Sequence, residues 1–351
     1  MLDLKFFRGK KIFITGHTGF KGSWLTYILY LSGAKIAGYS LKPKYKFDNF
    51  YLLKLKNKIK NNFGDIRDQK NLSNKINKFK PDIIFHLAAQ PLVKDSYLDP
   101  KFTFTTNIIG TLNILEIIKN VKSIKSAVII TSDKCYKNFE KRSGYSENDE
   151  LGGKDPYSAS KAAAENIFYS YKESFFHKKK KLGLASVRAG NVIGGGDWSK
   201  DRIIPDYIKS IINNQKFTLR SPTATRPWQH VFDLLNGYLI LSKKIYGKNN
   251  YNGSWNFGPT KNHITVKEVV LGLAEAMGIK KKIFVKKDIN FKETGLLSLK
   301  INKSQKYLNW RPKLSFVKIL NMTANWYQCY MYDRKNIDNL SKKQVADYFY
   351  D

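Results

Sequence analysis

Between residues 11 and 190 the chain alternates short apolar, β-branched runs with longer stretches in which apolar positions recur every three or four residues. The runs KIFITG (11–16), KIAGYSL (35–41), DIIFHLAA (82–89), SAVIITS (126–132) and LASVRAG (184–190) predict five strands. The stretches between them predict helices at about 20–32, 68–79, 101–121 and 155–177. Strands joined through helices are βαβ units, and strands apolar at nearly every position are covered on both faces. The expected fold class is therefore α/β, a doubly wound parallel sheet.

Past residue 190 this alternation lapses. A glycine-rich loop, GNVIGGGDWSKDR, precedes a helix at about 203–214, a short strand FTLRS, a long apolar helix at about 229–246, a strand SWNFG, and helices near 265–277 and 315–333. The expected organisation is a dinucleotide-binding domain over 1–190 and a smaller mixed α/β lobe, mainly for substrate, over 191–333, with some segments returning to the sheet. The polar, helix-compatible tail at 334–351 has no assigned place.

Composition narrows the function classes. The chain has 351 residues, 42% of them hydrophobic, enough to bury a sizeable core. Its net charge of +34 would ordinarily point to nucleic acid. The lysines, however, are spread among many Asn and Ile residues, with dense runs only at 177–181 (HKKKK) and 280–282 (KKK). No nucleic-acid partner is expected, though the excess favours anionic ligands. Cys135 and Cys329 have no metal-ligand spacing, and the five histidines (17, 86, 177, 230, 263) never form a short ligand pair, so no metal is expected. No run approaches the roughly 20 apolar residues of a membrane span, and the N-terminus has no signal-peptide pattern. A soluble, cytoplasmic protein without a membrane partner is expected.

The tract TGHTGFKG places Gly16, Gly19 and Gly22 directly after the first strand and at the opening of the first helix. Backbone N–H groups there, including those of Thr18 and Phe20, can approach a pyrophosphate, which marks the first half as a Rossmann dinucleotide domain. The acidic residue that usually ends the second strand and binds the ribose is missing. Ser40 stands there with Lys42 and Lys44 behind it, so NAD is expected and NADP stays open. Asp65 and Ile66, in GDIRD, fit the adenine side, and the small-residue strand end Leu87, Ala88, Ala89 lets a cofactor lie close.

In YSASKAAAENIF, Tyr157 and Lys161 are four residues apart at the start of a helix and share a face. An ammonium beside a phenol favours phenolate, which makes Tyr157 a candidate general base. Ser132, at the end of a preceding strand, can hold a substrate hydroxyl beside it. Cys135 has no partner in the sequence and reads as packing, while Tyr136 could line a substrate pocket.

With GHTGFKGSW, TSDKCY and GGGDW, these residues resemble the extended short-chain dehydrogenase/reductase superfamily. The closer resemblance is to its nucleotide-sugar 4,6-dehydratases, within them to the branch acting on CDP-glucose, and it spans nearly the whole chain. It implies oxidation of the sugar at carbon 4 with Tyr157 taking the hydroxyl proton, loss of water across carbons 5 and 6, and return of hydride to carbon 6. By the same resemblance Asp133 is the acid that protonates the departing hydroxyl. Lys134 stands where most relatives have a glutamate base, and a lysine at this position is what the CDP-glucose branch looks like; its alternative is a surface residue pointing away. The substrate would be a nucleotide sugar, CDP-glucose, with Arg202 and Arg226 on its diphosphate, Asn191 on phosphate or sugar, Trp198 on the base or the pocket wall, and Gln90 on the hexose. Asn107 would be structural. The helices carrying TNIIGTLNILEIIKN and YSASKAAAENIFYSY resemble those of a homodimer contact, so a homodimer or higher oligomer is expected. Two alternatives stay open: an epimerase or decarboxylase of the same superfamily, and a basic binding protein without activity.

Overall fold

The computed structural model describes residues 3–219, 221–260, 264–279, 283–285 and 296–350. His263 and the lysine run at 280–282 lie outside the described residues. The five predicted strands form: β1 (Lys11–Thr15), β2 (Lys35–Ser40), β4 (Ile83–His86), β5 (Ser126–Ile130) and β6 (Gly183–Ala189). Two more join them. β3 (Lys60–Phe63) is a polar edge strand, KNNF, with no apolar run to announce it, and β7 (Gly253–Phe257) is the SWNFG segment. The sheet order is β7-β6-β5-β4-β1-β2-β3, with every pair parallel. SWNFG thus returns to the main sheet beside β6, with Trp255 opposite Val187.

Strand periodicity divides the core into two layers. Ile12, Ile14, Ile83, Phe85, Val128 and Ile130 face one side, with helices Phe20–Leu31, Val231–Lys244 and Phe316–Tyr332. Phe13, Ile84, Ala127 and Ile129 face the other, with helices Gln69–Phe79, Gly110–Asn120 and Pro156–Tyr171. Both faces are dry, which is why the strands carry so little polar alternation.

Local signals set the helix ends. Asp155 caps the helix at Pro156 by accepting from the Ser158 N–H at 2.9 Å, and Pro156 occupies a position whose N–H would have no helical partner. The helix predicted at 101–121 runs as Pro100–Phe104, a π-helical turn Thr105–Ile109, and Gly110–Asn120. That wide turn holds Asn107, which is buried.

The tail is ordered: Ile337–Phe349 is a helix packed in the first layer. At one end Asp338 accepts from Tyr27 Oη at 2.7 Å and from Lys58 Nζ at 2.8 Å. At the other, Tyr348 Oη donates to the buried Asp233 carboxylate at 2.7 Å. Polar anchors sparse in sequence, each 115 or more positions from their partners, carried no local signal. Replacing Tyr348 with Phe strips a buried carboxylate of a donor and should cost about 1–3 kcal/mol, read as a lower urea midpoint with an unchanged m-value.

Candidate active site

Gly16 ends β1 with φ of +75°, and a Cβ on it would lie 2.7 Å from the Ala88 nitrogen. A Cβ on Gly22 would lie 2.0 Å from the Gly16 oxygen. The turn is thus packed too tightly for side chains, and it borders a cleft of about 260 Å3. Gly16, Thr18, Gly19, Phe20, Gly22, Ser40, Asp65, Ile66, Leu87, Ala88 and Ala89 all line this cleft. A dinucleotide fits it: a bare backbone cradle at a helix N-terminus, small residues opposite, and a hydroxyl at the ribose position.

That hydroxyl is held. Ser40 Oγ is 3.1 Å from His17 Nδ1 and 2.9 Å from Thr18 Oγ1, and His17 Nε2 reaches Asn61 Oδ1 at 3.0 Å. Burial lowers the His17 imidazole to about 4, against its bonds to Asn61 and Tyr39, so it is neutral. Lys42 and Lys44 are exposed and lie outside the cleft lining. Asp65 forms a two-pronged pair with Arg67, whose Nη2 is 2.6 Å and Nε 3.0 Å from its oxygens.

The tract Ser132–Asp133–Lys134 follows just after the end of β5. Ser132 caps a short 3-10 turn, Asp133–Cys135, accepting from the Lys134 N–H at 3.2 Å and donating to Asp133 Oδ1 at 3.0 Å. Asp133 is 4% exposed, and its Oδ2 has no hydrogen-bond partner. Burial raises its carboxyl to about 6, although Lys134, the Ser132 hydroxyl and Arg226 favour the charged form. A carboxyl that retains its proton toward neutral pH with one oxygen unengaged is equipped to donate it.

Tyr157 and Lys161 share one face of the helix beside this turn, both buried. Burial raises the Tyr157 phenol to about 12, while the Ser132 hydrogen bond and the Arg202 charge pull it down. The phenol therefore stands above its ordinary value, not below it as the Tyr–Lys spacing predicts, because dehydration of phenolate outweighs the neighbouring positive charge. Burial lowers the Lys161 ammonium to about 8, with Glu165 raising it. Asn107 fixes the neighbouring strand end: its Oδ1 accepts from the Gln90 N–H at 2.8 Å, and its Nδ2 donates to Ser160 Oγ at 2.8 Å.

The substrate-side residues divide. Arg202 lines the cleft, and the Arg226 charge favours the ionised form of Asp133. Gln90 does not present its side chain to a sugar: its Nε2 donates to Thr103 Oγ1 at 2.8 Å and its Oε1 accepts from the Leu92 N–H at 2.5 Å, making it a strut. Trp198 packs in an aromatic group, 4.6 Å from the Tyr330 ring and 5.5 Å from that of Phe47, and is not among the residues lining the cleft. Asn191 stands just after β6, its carbonyl accepting from the Gln229 N–H at 3.1 Å. Tyr136 is 1% exposed and bonded to Asn256 and Arg188, and it is not among the residues lining this cleft. Cys135 is wholly buried in an apolar cluster with its thiol pKa well above the usual value, as expected of packing.

Two residues escaped the sequence reading. Lys21, within the glycine tract itself, lines the cleft, and burial with the Arg202 and Lys161 charges lowers its ammonium to about 7, against Asp133 and Asp197. The sequence signal was present, a lysine on the first turn of the helix that opens the site. Asp197, in GGGDW, is buried and accepts from Arg202 Nη1 at 3.3 Å and from Ser199 Oγ at 2.7 Å. Among the described residues no three His, Cys, Asp or Glu side chains converge as a metal would need.

Comparison with known proteins places this geometry. The CDP-glucose 4,6-dehydratase of Salmonella typhimurium strain LT2 is 42% identical, over 99% of this chain and 98% of that protein. Two solved structures share the fold. The UDP-glucose 4-epimerase of Thermotoga maritima, solved with UDP-glucose, superposes with a TM-score of 0.80 at 21% identity, over 92% of this chain and 99% of that one. The dTDP-glucose 4,6-dehydratase of Bacillus anthracis, solved with NAD, gives 0.78 at 24% identity, over 94% of this chain and 100% of that one. The sequence model of the GDP-mannose 4,6 dehydratase family matches residues 13–323, and the chain belongs to that family.

Proposed function

We propose that this chain is a hydro-lyase that converts CDP-glucose to CDP-4-keto-6-deoxyglucose with NAD as its resident cofactor. The observation that carries the reading is Asp133: a buried, proton-retaining carboxyl with one unengaged oxygen, beside Ser132 and Tyr157. A 4-epimerase has no use for an acid aimed at carbon 6. The whole-length likeness to a CDP-glucose 4,6-dehydratase supports the same reaction and the cytidine nucleotide.

Gly16, Gly19, Gly22 and the N–H groups of Thr18 and Phe20 would hold the dinucleotide, with Ser40 at its ribose. That cofactor supplies hydride acceptance at carbon 4 and hydride return at carbon 6. NAD is favoured over NADP because the ribose position holds a serine fixed by a neutral histidine, while Lys42 and Lys44 stand outside the cleft.

The protein's own groups move the protons. Ser132 and Tyr157 bind the carbon-4 hydroxyl, and Tyr157 accepts its proton as Lys161 stabilises the phenolate. Oxidation at carbon 4 acidifies the hydrogen on carbon 5. Lys134, acting as the free amine, takes that proton, and the buried Asp133 carboxyl protonates the departing hydroxyl on carbon 6. Arg202 and Arg226 bind the diphosphate. The exposed apolar groups Leu98, Ile109, Tyr169 and Phe175, along the helices at 93–120 and 156–176, support assembly as a homodimer.

Incubation with CDP-glucose should give a product lighter by one water in mass spectrometry, with dTDP-glucose and GDP-mannose poorer substrates; no dehydration of any of them would refute the function. Light scattering should give twice the chain mass. Asp133→Asn should lower kcat by about 10²–10⁴ with a much smaller effect on binding. The same variant should raise stability near neutral pH. Because the folded carboxyl titrates near 6, above its unfolded value, the wild type loses stability as pH rises from about 4 to about 6, by up to about 3 kcal/mol. Thermal melts should therefore favour Asp133→Asn at pH 7.5, with the advantage gone below about pH 4.

A further inference from the structure

Behind the catalytic turn lies a buried charge pair that the reaction above does not use. Glu165 is fully buried and Arg188 nearly so, with Arg188 Nη2 2.7 Å from Glu165 Oε2. Glu165 Oε1 accepts from Thr131 Oγ1 at 2.5 Å, and Oε2 also accepts from Ser186 Oγ at 2.9 Å and Ser254 Oγ at 3.0 Å. Arg188 Nη1 donates to Tyr136 Oη at 2.9 Å and to the Glu147 carbonyl at 2.9 Å, and Tyr136 Oη passes its own proton to Asn256 Oδ1 at 2.8 Å. Thr131 and Tyr136 are the residues on either side of Ser132–Cys135. The pair thus grips the catalytic turn at both ends, one end through each partner.

Glu165 also lies one helical turn beyond Lys161. The groups facing Lys161 are Glu165 and Tyr157 on its own helix, Cys135 from the turn, His86 from β4 and Lys21 from the first helix. His86 is neutral, its imidazole lowered to about 3 by burial and by Lys161, and the Cys135 thiol is held protonated. Lys21 carries the same sign as Lys161. Among these groups the fixed anion is Glu165: burial would raise its carboxyl, but the Arg188 charge and the bonds from Arg188, Thr131 and Ser186 leave it lowered.

We propose, on the reading that Tyr157 and Lys161 perform the oxidation, that Glu165 and Arg188 are the positioning pair of this site, clamping the catalytic turn from behind and supplying the negative charge opposite Lys161. Neither touches substrate. Arg188 neutralises and orients Glu165, and Glu165 keeps Lys161 charged in a dry environment. A pair kept for packing alone would be replaceable by neutral groups of similar volume without effect on the chemistry.

The double variant E165Q/R188M removes both charges of the pair together and should melt close to the parent. In protein labelled on the lysine side chains, with Lys161 assigned through K161R, its NMR titration should move to lower pH. With CDP-glucose, kcat should fall about tenfold to a hundredfold with KM nearly unchanged, and the alkaline limb of the pH profile should shift to lower pH, since Lys161 is then deprotonated earlier. Thr131→Val keeps both charges and reads the clamp alone: kcat should fall several-fold with the Lys161 titration unmoved. An unchanged Lys161 titration in the double variant overturns the charge role, and an unchanged kcat in Thr131→Val overturns the clamp. If the double variant does not fold, Glu165→Asp, which retracts the anion but keeps it, decides the charge role by whether the Lys161 titration moves down. A parent that dehydrates no nucleotide sugar would refute the preceding subsection and leave the Lys161 titration to decide this one.

Discussion

Charges buried at the carboxyl ends of the parallel strands set the terms for everything else in this molecule. Taking an ion out of water costs several kcal/mol even after relaxation, and here Lys161, Asp133, Glu165 and Arg188 are all less than 9% exposed within one region. Each persists because another answers it. Arg188 answers Glu165, Glu165 answers Lys161, and Lys134 and Arg226 answer Asp133 in part. Where the answer is incomplete, as at Asp133, the group keeps its proton further toward neutral pH, and that residue is the one with a proton to give. The dry setting that would destabilise a casual arrangement of these residues is the source of their chemistry.

Holding that arrangement takes structure from the whole chain. Trp24 Nε1 donates to the Gly195 carbonyl at 2.8 Å, the Trp326 ring fills the space where a Gly195 side chain would stand, and Tyr327 Oη donates to the Asp197 carbonyl at 2.7 Å. Asp197 in turn holds Arg202 at the cleft. The position of a cleft-lining arginine thus depends on a helix more than 110 residues further along, Phe316–Tyr332, which is itself covered by the C-terminal helix. The π-helical turn at Thr105–Ile109 does similar work on the opposite layer, bringing Asn107 against the strand end that carries Gln90.

Fold alone leaves the reaction undecided, since an epimerase and a dehydratase share it. The tract Ser132–Asp133–Lys134 is what separates the readings. Its 3-10 turn directs Asp133 inward, while the residue usually acidic in this position is a lysine whose charge bears on that same carboxyl. An acid flanked by amines holds less proton than one flanked by another acid. The raised value at Asp133 therefore measures how strongly burial prevails over those neighbours.

Six of the seven strands, the main helices and the cradle glycines were legible in the sequence, because strand and helix periods and the glycine spacing are local properties of consecutive residues. Lys60–Phe63 was not, since an edge strand of polar residues has no period to read. Nor was the C-terminal helix's place, which rests on single polar anchors to Tyr27, Lys58 and Asp233. Tyr157, Lys161 and Ser132 could be named from spacing and resemblance, but not their electrostatics: the helix period puts Tyr157 and Lys161 on one face, whereas burial decides that the phenol rises. Gln90 was expected on the hexose, but its side chain is claimed by Thr103 and Leu92 once the chain closes, and Trp198 packs against Tyr330. Lys21, Asp197 and the Glu165–Arg188 pair emerged only from the tertiary structure, because the free energy of a buried charge depends on which distant groups surround it.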